Sequence, residues 1–466
     1  MYNFIFLFLF FSIEIITILS EPLILQFSTR KYNDKNIMKN LINNDIYTYL
    51  YVGSNKQKIE MNIKSQKSST FVLSESCPDN AKANKFNELN SVTYNATFIR
   101  KPYYSYEFKE ATLSTDDFLL IQNNNKQIEI KDFTFMLANT MMNNYQEYMG
   151  GLIGLKLLTK DDEELNMPEK SCFINQLKEK NIINSYVFAL IYDDEFNGKL
   201  YVGEYFHSFN KSFSENDFFA MKAGNEKFKV KNWEINIEKM ISGNNIVQNK
   251  TSLEIYYELG IIAASDSYRD YINNTFFKNY ILNGLCHEKI NLENIATFKK
   301  YTYIECDKKY FDINSFPKLS FFNSEIDMNF TLSPEELFYE YENKIYFLII
   351  FPIYGIAVDY WLMGKIFVKK YNLFLDKDKR IIGLYKNYTK IKEEKQLEIT
   401  NNANYTGYIV AIVILGLVLI TTIISFLYYF LVIKKSRRIR ANELDDNIDY
   451  IAQEKNEEEN NKFIIN

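Results

Sequence analysis

The sequence predicts a mostly β protein with a few short helices, followed by one membrane-spanning helix near the C-terminus. Aromatic residues form 16% of the 466 residues, with 36 Tyr and 38 Phe, and such residues favour strands. Short apolar or alternating segments recur between turn residues before residue 387. One long uncharged apolar segment, residues 408–433, comes later. These features indicate a folded β domain joined to a membrane anchor.

The first 20 residues resemble a signal peptide. The apolar run Phe4–Phe11 has the length of a signal-peptide core and is too short to cross a bilayer. Glu14 and the lack of a basic residue before the run are unusual for such a segment, and a buried helix or strand is the alternative. We expect residues 1–20 to be removed by cleavage near Ser20.

Short strands separated by turns account for most of the predicted β domain. Strand composition, with period-2 alternation in some segments, marks each of them, and the first ends at Gly53. One helix is predicted over Cys172–Lys180, where Phe173 and Leu177 are four residues apart. The predicted strands are residues 47–52, 58–63, 70–73, 118–121, 131–137, 187–192 and 199–202.

The C-terminal region predicts a single-pass topology. Residues 408–433 contain no charge over 26 positions, and about 20 apolar residues suffice to cross a bilayer. Basic residues follow at once, between 434 and 440, which places that side in the cytoplasm. We therefore expect a type I membrane protein. Its residues 21–407 would be lumenal or extracellular, with a stalk at 387–407, and residues 434–466 would form a disordered cytoplasmic tail.

Charge and composition exclude several classes of function. Lys and Arg number 54 against 59 Asp and Glu, so the chain lacks the basic excess of a nucleic-acid-binding protein. With 2 His and 4 Cys, a metal centre built from these residues is not expected. We predict no cofactor, no metal and no nucleic-acid partner.

The cysteines and glycosylation sequons agree with this topology. All four cysteines lie in the predicted ectodomain, where disulfides form. Asn-x-Ser/Thr sequons also lie on that side and are candidate sites for N-linked glycans. They begin at Asn95, Asn210, Asn249, Asn273, Asn329, Asn387 and Asn404.

An internal similarity suggests a duplicated fold. The segment Tyr148–Gly154 resembles Tyr360–Gly364, and each is an apolar run that ends on glycine. The segments Ser68–Phe71 and Ile261–Ala264 precede them by comparable distances. Two halves with matching elements are expected.

In these segments the chain resembles the pepsin-like aspartic peptidase family, from about Asp45 to Tyr385. The resemblance implies a bilobal double-barrel fold, with lobes at 21–205 and 206–386 and an inter-lobe cleft that holds an extended peptide. The matching segments, in order, are Tyr49–Gln57, Leu113–Leu120, Gly150–Leu155, Phe173–Lys178, Asn181–Phe188, Gly198–Gly203, Phe316–Phe321, Trp361–Tyr371 and Asp376–Leu384.

The resemblance also implies a disulfide pairing. Cys286 and Cys306 match the disulfide of the family's C-terminal lobe. Cys77 and Cys172 are left to pair with each other, or to remain thiols.

The family's catalytic motifs are degenerate in this sequence. The family cleaves peptides with two aspartates, one from an Asp-Thr/Ser-Gly turn in each lobe, because two close carboxyls share a proton. The first turn aligns with residues 65–67 and the second with residues 263–265. Ser65 and Ala263 then occupy the catalytic positions, and neither ionises at usable pH. A different register would place Asp266 near the second position.

We therefore predict a pseudoprotease with a monomeric ectodomain that binds an extended peptide or protein without cleaving it. One alternative is an active aspartic-type endopeptidase that uses an atypical carboxylate such as Asp266 or Glu60. Another is a structural surface glycoprotein with a closed cleft. The predicted groove residues are Ser65, Lys67, Tyr104, Tyr106, Ala263, Ser265 and Ser267.

Overall fold

The computed structural model describes two units of the chain, residues 1–388 and 389–466. Within them, the described residues are 21–32, 35–78, 84–101, 108–141, 149–156, 169–224, 232–292, 300–353, 360–386, 425 and 427–435.

The predicted signal peptide, stalk and most of the tail lie outside these residues. Of the predicted span 408–433, only residues 425 and 427–433 are described, and they are helical. No helix in the described portion of the chain is both long enough and apolar enough to cross a membrane.

The strands and helices of the β domain, residues 21–386, are numbered here in chain order. The strands of the first half are β1 Leu23–Thr29, β2 Ile46–Val52, β3 Gln57–Lys64, β4 Phe71–Leu73, β5 Asn95–Lys101, β6 Phe108–Ile121, β7 Gln127–Met141, β8 Gly151–Gly154, β9 Val187–Tyr192 and β10 Asn197–Val202.

The second half contributes further short strands. They are β11 Phe218–Lys222, β12 Glu234–Ser242, β13 Asn245–Ile255, β14 Ile262–Ala263, β15 Cys286–Asn291, β16 Tyr301–Asp307, β17 Leu319–Asn323, β18 Met328–Leu332, β19 Phe338–Tyr341, β20 Lys344–Phe347, β21 Ile349–Pro352, β22 Tyr360–Met363, β23 Phe374–Asp376 and β24 Ile381–Tyr385.

The described helices are short. The α-helices are α1 Ile37–Ile42, α2 Phe173–Glu179, α3 Phe206–Phe209, α4 Asp266–Ile272, α5 Lys278–Leu282, α6 Pro334–Leu337 and α7 Lys365–Tyr371. A π-helix, Asn273–Phe277, joins α4 to α5. The predictions of a mostly β fold and of a helix near Cys172–Lys180 are confirmed.

The β2–β3 hairpin shows how the local sequence forms these strands. In β2, the side chains of Ile46, Thr48, Leu50 and Val52 are buried, and the residues between them are at least partly exposed. This alternation fits a strand that packs one face on a core. Gly53 follows with a φ of 86°, a conformation that glycine adopts without strain, so the chain reverses there into β3.

Two sheets are formed by the described strands. The first has the order β11-β24-β23-β9-β10-β1-β2-β3-β8-β4-β7-β6-β5. The second has the order β18-β17-β12-β13-β22-β14-β21-β16-β20-β19, with β15 paired to β16. Strands β11, β23 and β24 of the first sheet come from the second predicted lobe, 206–386, whereas the described strands of the second sheet all come from that same lobe.

A shared hydrophobic core joins the two sheets. Phe188 of β9 contacts Trp233, which precedes β12, with ring centroids 5.8 Å apart. The Trp233 indole Nε1 also donates a hydrogen bond to the Leu155 carbonyl oxygen at 3.0 Å. Because Trp233 is fully buried, this contact fixes the start of the second sheet against the end of β8.

The cysteine predictions have two outcomes. The Cys286–Cys306 disulfide is present and joins register partners of β15 and β16. The predicted Cys77–Cys172 pairing is wrong, because both residues are buried cysteines without a disulfide. Cys77 packs in a small apolar cluster, whereas Cys172 precedes α2 and accepts a 3.6 Å hydrogen bond from Lys377 Nζ.

The described sequon asparagines are all at least partly exposed. Asn387 and Asn404 lie outside the described residues, and glycosylation at any of these sites stays a prediction. The exposed or half-exposed positions are Asn95, Asn210, Asn249, Asn273 and Asn329.

Candidate functional site

The first turn of the site follows β3. Strand β3 runs parallel to β8, with Lys64 opposite Gly154, and β8 runs antiparallel to β4. The chain must therefore pass from β3 to β4 over the end of β8, through Ser65 and the residues after it. A side chain at Gly154 would collide with the Lys67 carbonyl oxygen, so glycine lets β8 lie close beneath the turn.

The second sheet contains the same arrangement. Strand β13 runs parallel to β22, with Ile255 opposite Met363, and β22 runs antiparallel to β14. A Cβ at Gly364 would collide with the Leu259 carbonyl oxygen. In the first turn, a Cβ at Gly154 would likewise collide with the Lys67 carbonyl oxygen. The Tyr256 amide donates to the Met363 carbonyl at 2.9 Å, which extends the pairing by one residue. The second turn therefore follows β13 directly.

This register corrects the expected second catalytic position. Tyr256 follows the Ile255–Met363 pair and corresponds to Lys64, so Tyr257 corresponds to Ser65. Ala263 lies instead within β14, where it pairs with β21 and β22. The sequence alignment had placed the turn one strand too late.

The two turns meet through hydrogen bonds. The Ser65 Oγ donates to Glu258 Oε2 at 2.8 Å, and the Gln66 amide donates to Glu258 Oε1 at 3.3 Å. The Tyr257 amide donates to Ser65 Oγ at 3.3 Å. The Ser65 hydroxyl of the first turn thus bonds to a carboxylate from the second turn.

A comparison with protein families agrees with this architecture. The model of the eukaryotic aspartyl protease family matches residues 46–387, which is most of the chain. The chain belongs to this family. No curated protein matches it in sequence. Both sheets and both turns lie almost wholly within the matched region, so the resemblance to pepsin-like aspartic peptidases and the bilobal fold are confirmed.

The site differs in composition from the aspartate pair typical of an aspartyl protease. Ser65 and Tyr257 stand at the two topologically equivalent positions, and Glu258 follows Tyr257. Ser65 is 1% exposed, Tyr257 0% and Glu258 8%, so these side chains lie beneath the surface. Among the described residues, the hydrogen bonds of the Glu258 carboxylate come from Ser65 and Gln66, not from a second carboxyl.

Burial controls the protonation of Glu258. Removal from water raises the pKa of its carboxyl above the ordinary value, because the charged form loses hydration. The Lys64 ammonium and the hydrogen bond from Ser65 act in the opposite direction. The net direction is upward, so Glu258 holds its proton to a higher pH than an exposed glutamate.

Sequence reasoning missed Tyr257 and Glu258. The sequence contains one indication that the turn lies earlier. A turn at Ala263 leaves almost no room for the strand that should follow it. In the structure, α4 begins at Asp266, three residues after Ala263. A turn before Gly260 leaves room for β14 between the turn and the helix.

The other described groove residues differ in their exposure to solvent. Ala263 and Ser265 are buried, Lys67 is half-buried, and Ser267 is exposed. The Ser265 and Ser267 hydroxyls hydrogen-bond to each other at 2.8 Å. Tyr104 and Tyr106, between β5 and β6, lie outside the described residues.

The two atypical acids considered from sequence are engaged elsewhere. Asp266 is 60% exposed in the first turn of α4, and its carboxylate forms a 3.1 Å ion pair with Arg269. The Glu60 carboxylate forms an ion pair with Arg30. In the part of the chain that the structure describes, no cluster of three or more His, Cys, Asp or Glu side chains is suited to a metal.

Proposed function

We propose that this aspartyl protease family member is a pseudoprotease that binds an extended polypeptide between its two sheets without cleaving it. The observation that carries the proposal is the hydrogen bond from Ser65 Oγ to Glu258 at the junction of the two turns. The hydroxyl occupies the position from which the family's first aspartate acts.

Hydrolysis by an aspartic peptidase requires two carboxyl groups that share a proton. An aspartic peptidase uses one carboxylate as base towards water while the other carboxyl donates to the substrate carbonyl. A serine hydroxyl does not ionise at usable pH, so Ser65 fills neither role. Tyr257 at the second position is fully buried, and its ring belongs to the core. Glu258 would have to serve both roles alone.

Peptide binding is supported by the strands that would form the walls of the site. Strands β5 and β6 form a hairpin that flanks residues 102–107, the position of the family's flap. The resemblance to pepsin-like peptidases includes a groove for extended chains between the two sheets. An extended ligand gains backbone hydrogen bonds in such a groove, and alternate side chains enter pockets. These contacts do not require a catalytic pair.

We further propose that the β domain is held at a membrane. The uncharged residues 408–433 followed by basic residues support a type I orientation with a lumenal or extracellular β domain. The balanced charge of the chain supports a protein or peptide partner rather than nucleic acid. We expect the β domain to act as a monomer.

One observation favours an active endopeptidase as the second candidate. Glu258 is a buried carboxyl with a raised pKa, and it bonds to a hydroxyl at the centre of the site. Buried carboxyls with raised pKa values serve as general acids in other hydrolases. Glu258 therefore replaces Asp266 and Glu60 as the acid to be tested.

Hydrolysis and binding can be measured in one experiment. The full chain is incubated with casein between pH 3 and 6, with and without a transition-state peptide inhibitor, and Glu258→Gln is the matched variant. We expect both proteins to leave casein intact and to retain casein-derived peptides on an affinity column. Cleavage that the inhibitor blocks and that Glu258→Gln loses would establish the endopeptidase instead. Intact casein without any peptide retention would indicate a closed, structural cleft.

A further inference from the structure

A pair of glutamates lies where the second sheet meets the first turn. Glu234 begins β12 and is the register partner of Glu254 near the end of β13. Register partners project to the same face of a sheet, and like charges in this position repel. Glu254 is 5% exposed and Glu234 is half-buried, so water screens this repulsion poorly.

Hydrogen bonds connect this pair to the first sheet. The Gln66 side chain, next to Ser65, bonds to the Glu254 carboxyl, and Gln66 Nε2 also approaches the Ile255 carbonyl oxygen at 3.4 Å. From the second sheet, Asn232 Nδ2 donates to Glu254 Oε1 at 2.8 Å. The Glu254 carboxyl is therefore part of the contact between the two sheets, beside the buried Trp233.

The surrounding charges mostly oppose ionisation of Glu254. Burial, followed by the Glu234 carboxylate, raises the pKa of Glu254 to about 7, and Glu258 acts in the same direction. The Gln66 hydrogen bond and the Lys156 ammonium, which follows β8, lower the pKa. Burial also raises the pKa of Glu234, against a hydrogen bond from Ser252.

We propose that the Glu234–Glu254 pair is a proton-dependent junction, which holds the start of the second sheet against the Gln66 turn in acid and weakens that contact when both carboxyls ionise. The inference does not depend on whether the cleft binds or cuts its ligand. It requires only the cross-strand pair and its contacts with the first sheet.

The direction of the pH effect follows from proton binding. A carboxyl whose pKa is higher in the folded protein binds its proton more tightly there than in the unfolded chain. Its stabilising contribution is complete below the ordinary glutamate pKa of 4.5 and is lost as the pH rises through about 7. For one such proton, the unfolding equilibrium constant rises up to about tenfold for each pH unit in that window.

The test is the pH dependence of unfolding of the full chain, followed by the fluorescence of its two buried tryptophans, Trp233 and Trp361, in denaturant. We expect the wild-type unfolding midpoint to fall between pH 5 and pH 8. Glu254→Gln should reduce this slope, since the amide keeps the hydrogen-bonding shape without the charge, and the slope that remains includes the contribution of Glu258, whose pKa is also raised. Glu234→Gln, at a half-buried position, should reduce the slope by a smaller amount.

The matched control is Glu179→Gln, at the exposed end of α2, which should leave the pH slope unchanged. A wild-type midpoint that does not fall, or a slope equal to the wild-type slope in both Glu254→Gln and Glu234→Gln, would overturn the proposal. If Glu254→Gln does not fold, Glu234→Gln alone decides the outcome. The casein experiment is independent of this result, so the two proposals fail separately.

Discussion

The two turns of the site share a backbone arrangement but differ in the side chains they carry. In each, a strand ends beside a parallel neighbour that finishes at a glycine, and the chain crosses over that glycine. The first turn presents Ser65 and the second presents Tyr257, followed by Glu258. Strand register and glycine contacts therefore preserve the crossover, whereas the chemistry of each turn depends on the side chains at its tip.

The sheets around the turns differ as well. The second sheet carries the Cys286–Cys306 disulfide, whereas the buried cysteines Cys77 and Cys172, in the first half of the chain, form none. Stability experiments can show whether the two halves tolerate change equally.

The largest expected effect comes from removing the disulfide. The cysteines are 20 residues apart, and closing a loop of that size stabilises a protein by about 3 kcal/mol. We expect Cys286→Ala/Cys306→Ala to lower the free energy of unfolding by about this amount, measured by denaturant titration. Cys77→Ala, in the first half of the chain, should cost about 1 kcal/mol, because it removes only buried packing. Equal losses of unfolding free energy in the two variants would contradict a difference in stability between the two halves of the chain.

A smaller loss of unfolding free energy is expected when the hydrogen bonds between the two turns are removed. Glu258→Ala leaves the Ser65 hydroxyl and the Gln66 amide without their shared acceptor. Unpaired buried donors cost about 2 kcal/mol, so the free energy of unfolding should fall by that amount. Glu179→Ala, at an exposed helix end, should change it by less than about 0.5 kcal/mol. A Glu258→Ala variant as stable as this control would show that the carboxylate does not hold the turns together.

The smallest expected effect on stability is a slight gain or no change, in contrast to the losses above. The Tyr257 hydroxyl is buried and has no hydrogen-bond partner among the described residues. Removing it in Tyr257→Phe should leave the stability unchanged or raise it by up to about 1 kcal/mol, since a buried unpaired hydroxyl is unfavourable. Tyr192→Phe is the matched variant, because the Tyr192 hydroxyl accepts a hydrogen bond from Asn44 at 2.9 Å, and it should be less stable. A loss of stability in Tyr257→Phe would reveal a partner for that hydroxyl.

Most local features of the fold could be predicted because they are encoded over a few residues. Strand β9 was predicted with its observed bounds, and α2 differs by one residue at each end. Ser65 also lies where expected, immediately after β3. Periodicity and turn residues carry this information, and the order of the segments identifies the family.

The second turn could not be located in the same way because its position depends on pairing between distant strands. Strands β13 and β22 form the register that identifies Tyr257, yet more than a hundred residues separate them. The apolar residues of β14 resemble the strand that precedes a family turn, so local pattern alone favoured Ala263. The Cys77–Cys172 prediction failed for a related reason, since counting cysteines says nothing about their spatial separation.

The addition of late strands to the first sheet has a consequence for biosynthesis. Strand β9 leaves the ribosome early, but its neighbour β23 comes from near the end of the β domain. Until translation reaches β23, that edge of β9 has backbone groups available for pairing with other chains. The nascent protein must therefore wait for almost the whole domain before its first sheet closes. A chain that terminates before residue 374 would be a natural substrate for chaperones.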